Sequence, residues 1–323
     1  MRRLKVLYLP HPYASHHWQD AMMEAIGGQH DVTIYDHTKP IPEQFKGQEA
    51  VVDPGGSVGT RAMYDAATDT RFWQVVGTGL DHVDIATMKT KGFMISYSPG
   101  IFSSVALAEC AMMYILMLSR FYHEARENFD AGILYQPLGH TLDGAVLGII
   151  GFGASGQDLA RRAKPFGMRI QAIDVRPIEP DILDELQPEF LGGPDDMDRV
   201  VAESDYLSLH LHVNDETRHI IDARRIGLMK PTACLINVAR GALADEDALY
   251  EALLDGRIGG AGLDAFAAEP PDPSLPVYKL PNVVVTPHTS GCTDGTARAR
   301  AVAVAENLDR IAQGLDPYYR VDQ

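Results

Sequence analysis

Basic residues are scarce in this chain. Of 323 residues, 28 are Lys or Arg and 44 are Asp or Glu, a formal charge of −16. Such a surface repels nucleic-acid phosphates and anionic lipid headgroups, so neither nucleic acid nor a membrane is an expected partner. A local basic pocket for a small anion stays compatible with it. Cysteine is nearly missing: Cys110, Cys234 and Cys292 are the only three, with no CxxC spacing. Each lies in or beside an apolar stretch, which reads as reduced core thiols of a cytoplasmic protein and excludes a disulfide framework. Long apolar runs are missing too. The longest, 105–118, contains Glu109 and is too short to span a bilayer. The run that starts at Lys5 stops at Pro10 and His11, too early for a signal-peptide core. There is no internal repeat, low-complexity tract or Gly/Ser linker.

What is present is ordinary globular composition, 46% hydrophobic and 22% charged, in a length that suggests about two domains. KVLYLP (5–10), DVTIYD (31–36), EAVVDP (49–54), WQVVGTG (73–79) and FMISYSP (93–99) read as buried strands ending in turn residues. Helical patterns over 18–26 and 81–91 lie between them. The stretch 103–120 reads as a long helix, apolar almost all round and therefore buried, between domains or between subunits. A second series follows: AVLGII (145–150), MRIQAID (168–174), YLSLHLH (206–212), ACLINVA (233–239), GGAGLDAF (259–266) and VVVTPH (283–288). These six strand-like runs alternate with helices, notably 246–254, and an amphipathic helix over 293–315 ends the chain. The fold class is α/β, with two parallel-sheet domains.

The strand 145–150 runs directly into Gly151-Phe-Gly153-Ala154-Ser155-Gly156 and then a helix. This is the G-x-G-x-x-G of a dinucleotide site. The first glycine permits the tight turn, the second lets backbone approach a pyrophosphate, and the third lets helix and strand meet closely. The phosphates would sit at the helix N-terminus. Asp174 ends the next strand, where a carboxylate bonds the ribose hydroxyls of NAD and repels the extra phosphate of NADP. Arg176, two residues on, works against that preference. NAD is the expected cofactor and NADP the less favoured one.

Three further segments complete a pattern: INVARGALADEDAL (236–249), GLDAFAAEPP (262–271) and VTPHTSG (285–291), with GTGLDHVD (77–84), SVALAE (104–109) and 203–221 beside them. Together they resemble the D-isomer-specific 2-hydroxyacid dehydrogenase family over nearly the whole chain. The resemblance implies catalytic roles for Arg240, Glu269 and His288. Arg240 would bind the substrate, with backbone N–H groups of Thr78 and Gly79 on its carboxylate. Gly151, Gly153, Ala154, Ser155, Gly156, Asp174, His210, Ala239 and Asp264 would line the cofactor site, Asp264 holding the nicotinamide carboxamide. It also implies a homodimer joined through 103–142. The cofactor domain (102–289) would be inserted in a substrate domain (1–101 with 290–323), the two separated by a cleft whose closure brings Thr78 and Gly79 toward His288.

The chemistry agrees with the likeness. Reduction of a 2-keto acid needs a hydride donor, a proton donor near neutral pH and a carboxylate anchor; His and Arg are suited to the last two. Two alternatives have the same fold: an NADH-sensing corepressor-like protein and a phosphoglycerate dehydrogenase. The loop 51–60 has no Lys or Arg, which disfavours a phosphorylated substrate, although Arg61 is close. Gly55, Gly56 and Ser57 leave room for a polar or larger substituent. Formate oxidation is disfavoured because formate dehydrogenases carry Gln where Glu269 stands.

Some features depart from the family or stand outside it. Ala154 replaces a usual polar residue and Ser155 a usual apolar one. His212 stands where proline is usual. His210 and His212 share a strand face, but no third ligand is evident and no metal is expected. His11, His16 and His17 read as a solvated loop. Tyr35-Asp-His-Thr-Lys39 matches the YxxxK of short-chain dehydrogenases by chance, since it precedes the glycine loop.

Overall fold

The computed structural model describes residues 2–54, 59–81 and 83–323. Gly55, Gly56 and Ser57, expected to shape the substrate loop, lie outside the described residues. The chain divides into two compact units, Met1–Phe102 with Thr293–Gln323, and Ser103–Cys292.

The first unit contains β1 (Lys5–Tyr8), α1 (His16–Ile26), β2 (Asp31–Ile34), α2 (Ile41–Phe45), β3 (Ala50–Asp53), α3 (Arg61–Ala66), β4 (Phe72–Val75), α4 (Ile85–Thr90) and β5 (Met94–Ser96). The strands are parallel in the order β2-β1-β3-β4-β5, a flavodoxin-like doubly wound sheet. Period-two alternation explains the two buried faces. Leu4, Val6 and Tyr8 pack with Met22 and Ile26 of α1 and with Ala301, Val304 and Leu308 of the C-terminal helix. Leu7 and Leu9 face the other way, toward Trp73, Phe93 and Phe45. Trp73 is fully buried, and its indole N–H donates to Asp53 Oδ2 at 3.2 Å. A buried indole needs that partner, so Asp53 at the end of β3 is a core acceptor. Helix α4 begins at Ile85, four residues later than the apolar pattern suggests. Asp84 is its N-cap, accepting the Thr87 N–H at 2.9 Å. The Tyr35–Lys39 segment is a turn closed by Asp36, which accepts from Thr38 and pairs with Lys39 at 3.2 Å.

The second unit contains α5 (Ser104–Ser119), α6 (Tyr122–Asp130), β6 (Val146–Ile150), α7 (Ala154–Ala163), β7 (Arg169–Ile173), α8 (Pro180–Leu186), β8 (Phe190–Gly192), α9 (Met197–Glu203), β9 (Tyr206–Leu209), α10 (Ala223–Ile226), β10 (Cys234–Asn237), α11 (Glu246–Leu254), β11 (Gly260–Leu263) and β12 (Val283–Val285). Its seven parallel strands run β12-β11-β10-β9-β6-β7-β8, a Rossmann order whose switch point lies beside β6. The sequence suggests six strands; the seventh is β8, three residues at the sheet edge, too short to carry a period.

Helix α5 is buried on one side, through Ala108, Ala111, Met112, Ile115 and Leu118. On the other side Val105, Met113 and Leu116 are exposed in the single chain, the side left for the subunit contact that the sequence reading allowed. Beyond α6, Leu134, Tyr135 and Leu138 are exposed as well, Tyr135 almost fully. Among the described residues no single helix is long and apolar enough to cross a membrane. The last helix, α12 (Asp294–Ala312), belongs to the first unit and is capped by Thr293, which accepts the Thr296 N–H.

Candidate active site

The glycine loop follows β6. Gly151 has φ +96°, and a Cβ there would lie 2.6 Å from the His210 carbonyl oxygen, so both conformation and space require glycine. A Cβ on Gly156 would collide with the Gly151 carbonyl, because α7 lies directly against the turn. Gly153 differs. Within 4 Å a Cβ there would meet only Arg176 Nη2, at 3.3 Å. Gly153 is also the N-cap of α7 and brings no side chain to it. The backbone at 153–156 thus forms an open cradle at a helix N-terminus, which suits a pyrophosphate.

Two side chains brace this cradle. Asp174 Oδ2 accepts the Phe152 N–H at 2.8 Å, fixing the middle of the loop. Its Oδ1 accepts from the Arg176 backbone at 2.9 Å and from Arg176 Nε at 3.2 Å. The carboxylate expected at the ribose is thus shared with the arginine that opposes its selectivity. His210 ties β9 to α7: Nδ1 meets Ser155 Oγ and Nε2 meets Ser208 Oγ, both at 2.9 Å. Burial pushes its imidazole down to about 4, so the ring is neutral at physiological pH. The Ser155 hydroxyl, one of the departures from the family pattern, is what the ring engages. Among the described residues, no group of three or more His, Cys, Asp or Glu is arranged to hold a metal ion.

The three candidate catalytic side chains leave adjacent strands of the same sheet. After β10, Asn237 holds the turn that presents Arg240, donating to Arg240 O at 2.8 Å and accepting from Ala239 N at 3.1 Å. Arg240 Nη1 donates to Ala239 O at 2.9 Å. Ala239 itself is nearly buried, so it contributes backbone. A Cβ on Gly241 would overlap the backbone of Phe266 and Ala267, so the arginine turn lies against the loop that carries Glu269.

After β11, Glu269 Oε1 accepts the Phe266 N–H at 3.1 Å, and Oε2 lies 2.7 Å from His288 Nδ1. Glu246, at the start of α11, holds this loop from outside by accepting the Ala267 N–H at 2.8 Å. Burial pushes the Glu269 carboxyl up, but the bond and charge of His288, the Phe266 N–H and the Arg240 charge outweigh it and hold it below the ordinary carboxylate range. Burial moves Glu246 the other way, above that range, reinforced by the charges of Asp247 and Glu269.

After β12, His288 sits at φ +54°, a left-handed conformation uncommon for a side chain of this size. Asp264 clamps the segment that imposes it. Its fully buried carboxylate accepts from the Thr286 hydroxyl, from Thr289 N at 2.7 Å and from Ser290 N at 2.8 Å. The Tyr114 hydroxyl on α5 bonds the same Thr286 hydroxyl. Asp264, expected at the nicotinamide, has no exposed surface, and both its oxygens serve the histidine segment.

Thr78 and Gly79 follow β4 in the first unit. Thr78 Oγ1 accepts from Arg300 Nη2 at 3.0 Å. The sequence reading missed Arg300, Glu246 and Tyr114. Arg300 had a signal, a cation on the apolar stripe of the last helix; the other two had none. His16 and His17 open α1, and His17 meets its capping residue Ser15, Nδ1 to Oγ 2.8 Å. His11 accepts the Tyr13 N–H at 3.2 Å.

Comparison with known proteins fits this arrangement. Residues 112–290 match the family described as D-isomer specific 2-hydroxyacid dehydrogenase, NAD binding domain. A glyoxylate reductase of Korarchaeum cryptofilum is 35% identical over 291 residues, 88% of this chain and 86% of that one. A D-3-phosphoglycerate dehydrogenase of Methanocaldococcus jannaschii is 34% identical over 274 residues, 84% of this chain, which spans about half (51%) of that protein. The crystal structure of D-lactate dehydrogenase from Aquifex aeolicus, complexed with NAD and lactic acid, superposes with a TM-score of 0.80 at 26% identity, covering 96% of each chain.

Proposed function

The chain belongs to the D-isomer specific 2-hydroxyacid dehydrogenase family, and from that premise we propose that it is an NAD-dependent reductase of small 2-keto acids. The observation that carries the proposal is the 2.7 Å contact between His288 Nδ1 and Glu269 Oε2, on a loop pressed against the turn of Arg240. Glyoxylate and hydroxypyruvate lead the substrate class, with other unphosphorylated 2-keto acids behind them.

The glycine cradle fits a dinucleotide, with Gly151, Gly153, Ala154, Ser155 and Gly156 at the pyrophosphate and Asp174 at the ribose. When bound, the nicotinamide supplies the hydride. The other work belongs to the chain. His288 Nδ1 is held by the Glu269 carboxylate, so Nε2 is the atom that gives the proton to the carbonyl oxygen. Glu269 stabilises the imidazolium before that transfer and fixes the ring plane. Arg240 offers its fork to the substrate carboxylate and carbonyl oxygen. The N–H groups of Thr78 and Gly79 take the carboxylate as well. Asp264 keeps His288 in its unusual backbone conformation. The larger unit is the cofactor domain in this reading and the smaller one the substrate domain.

The exposed apolar residues of α5 and of the segment after α6 support a homodimer. The sparse cysteines, in no disulfide among the described residues although Cys292 is exposed and not the core thiol the sequence suggested, support a cytoplasmic location. The test follows loss of NADH absorbance with glyoxylate, hydroxypyruvate, pyruvate, phenylpyruvate and a ketogluconate, with NADPH in parallel. Turnover on at least one is expected. Tight NADH binding with no turnover on any of them would defeat the proposal.

A further inference from the structure

Arg300 lies on α12 at helical spacing from the buried Thr296 and Val304, on the stripe that also buries Ala297, Ala301 and Leu308. A guanidinium on such a stripe is costly unless it is paired and its stem covered. Nη2 donates to Thr78 Oγ1 at 3.0 Å, and the guanidinium carbon lies 5.7 Å from the centre of the Trp18 ring on α1. Gly100 lies near the Thr78 methyl, since a Cβ built on it would be 3.7 Å from Thr78 Cγ2. One nitrogen of the cation thus meets the turn 77–79, with the Trp18 ring beside the guanidinium.

We propose that Arg300 is a positioning residue for substrate binding. It fixes the Thr78 side chain and so the turn, and it places a positive charge beside the two N–H groups that take the carboxylate of a 2-keto acid. This rests on the reductase reading above. It also answers the lack of Lys and Arg in 51–60, since the smaller unit's cation for an anionic substrate comes from the last helix. Its action falls on substrate affinity. Arg300 has no place in hydride or proton transfer, and the NADH cradle belongs to the other unit. The fork matters as well as the charge, because a guanidinium carries several donors on a delocalised plane and an ammonium is a single point of donation.

The test compares the full-length protein with Arg300→Met and Arg300→Lys. With NADH saturating, the KM for the best 2-keto acid should rise about 10- to 100-fold in Arg300→Met, the loss expected for one charged hydrogen-bonding group. Arg300→Lys should recover part of it. The kcat should stay within about threefold, and NADH affinity by fluorescence titration should be unchanged. Calorimetric titration of oxamate, a 2-keto acid analogue, into the NADH-loaded protein gives a readout without turnover and should show the same ranking. If Arg300→Met melts early, Arg300→Lys carries the comparison alone. Unchanged KM and oxamate affinity in the variants, beside an active wild type, overturn the role of Arg300 and leave the reductase reading standing. Parallel losses of NADH affinity and melting temperature mark a purely structural residue and overturn it too. A wild type that neither turns over a 2-keto acid nor binds oxamate with NADH removes the reductase reading and this proposal together.

Discussion

Two stretches of the seven-stranded sheet's carboxyl edge are built from different materials. The cradle after β6 is backbone: Gly151 at φ +96°, Gly156 with no room for a Cβ, and the open N-terminus of α7. The site after β10, β11 and β12 is side chain, a histidine and a glutamate held by a second set of side chains. Backbone sites bind, because N–H groups and a helix dipole offer an anion a fixed partial charge. Side-chain sites react, because an imidazole can exchange a proton. The two should therefore fail differently.

The sharpest break comes from one substitution in each. His288→Asn removes the proton donor and leaves the cradle intact. Turnover should fall by about two to four orders of magnitude, the range for general acid–base groups, while NADH still binds. Gly151→Ala puts a methyl against the His210 carbonyl at positive φ. There NADH binding itself should be lost. Fluorescence titration beside steady-state kinetics separates the two, and an Asn variant that cannot bind NADH would contradict the division.

Asp264→Asn probes the clamp. It swaps one carboxylate oxygen for an NH2 in a fully buried site where all the neighbouring groups are donors, the Thr286 hydroxyl and the N–H groups of Thr289 and Ser290. One donor must then face another. A buried donor left unpaired costs about 1–3 kcal/mol, and the segment holding His288 at φ +54° should relax. The expected result is a turnover loss of about 100-fold with a lowered urea midpoint. NADH affinity should drop too only if Asp264 also reaches the carboxamide, so that one measurement decides between clamp and cofactor contact.

The sequence showed the backbone site better than the braces of the side-chain site, for a physical reason. A turn with φ +96° or a blocked Cβ admits almost nothing but glycine, so its spacing is written in the letters. Arg240, Glu269 and His288 were legible because the chemistry restricts their type. Glu246 and Tyr114 were not, since a helix-start glutamate and a tyrosine in an apolar helix have ordinary explanations; Arg300 carried a signal, a cation on an apolar stripe, but not the partner it meets. Only folding brings Glu246 to the Ala267 N–H or Tyr114 to Thr286. Strand β8 escaped for want of length. The strands that carry the site were legible because each runs into a turn residue or a motif, but β9, β11 and β12 end three residues before the runs read from the sequence, so His210 and His212 lie beyond β9 and share no strand face.

Acid should expose a weak point in the cradle. Burial holds the His210 imidazole down at about 4, against an ordinary 6.5. Between those values the unfolded chain takes up a proton that the folded chain refuses. Stability from this group is full above about 6.5, falls as pH drops through that window, and is constant below about 4. The whole step is about 3 kcal/mol at most. Urea midpoints from pH 7 to pH 4 should show the slope, reduced in His210→Gln. A wild type whose midpoint is flat between pH 6.5 and 5 would contradict it, because the lowered carboxyls, Glu269 among them, release their stability at lower pH.

The smallest expected effect concerns which dinucleotide the cradle takes. Asp174 is almost buried and bonds the Phe152 N–H, so it serves the loop whatever cofactor is present. Arg176 is two-thirds exposed and bound to the same carboxylate. In this pair the carboxylate selects against an extra phosphate and the guanidinium offsets that selection. Removing the arginine as Arg176→Ala takes away the offset and keeps the brace. An exposed charge contact is worth about 1 kcal/mol or less, so kcat/KM with NADPH should fall about 2- to 5-fold and that with NADH by less than about twofold. A larger loss with NADH than with NADPH would mean that Arg176 holds the loop itself, and the cradle would then depend on side chains as the catalytic end does.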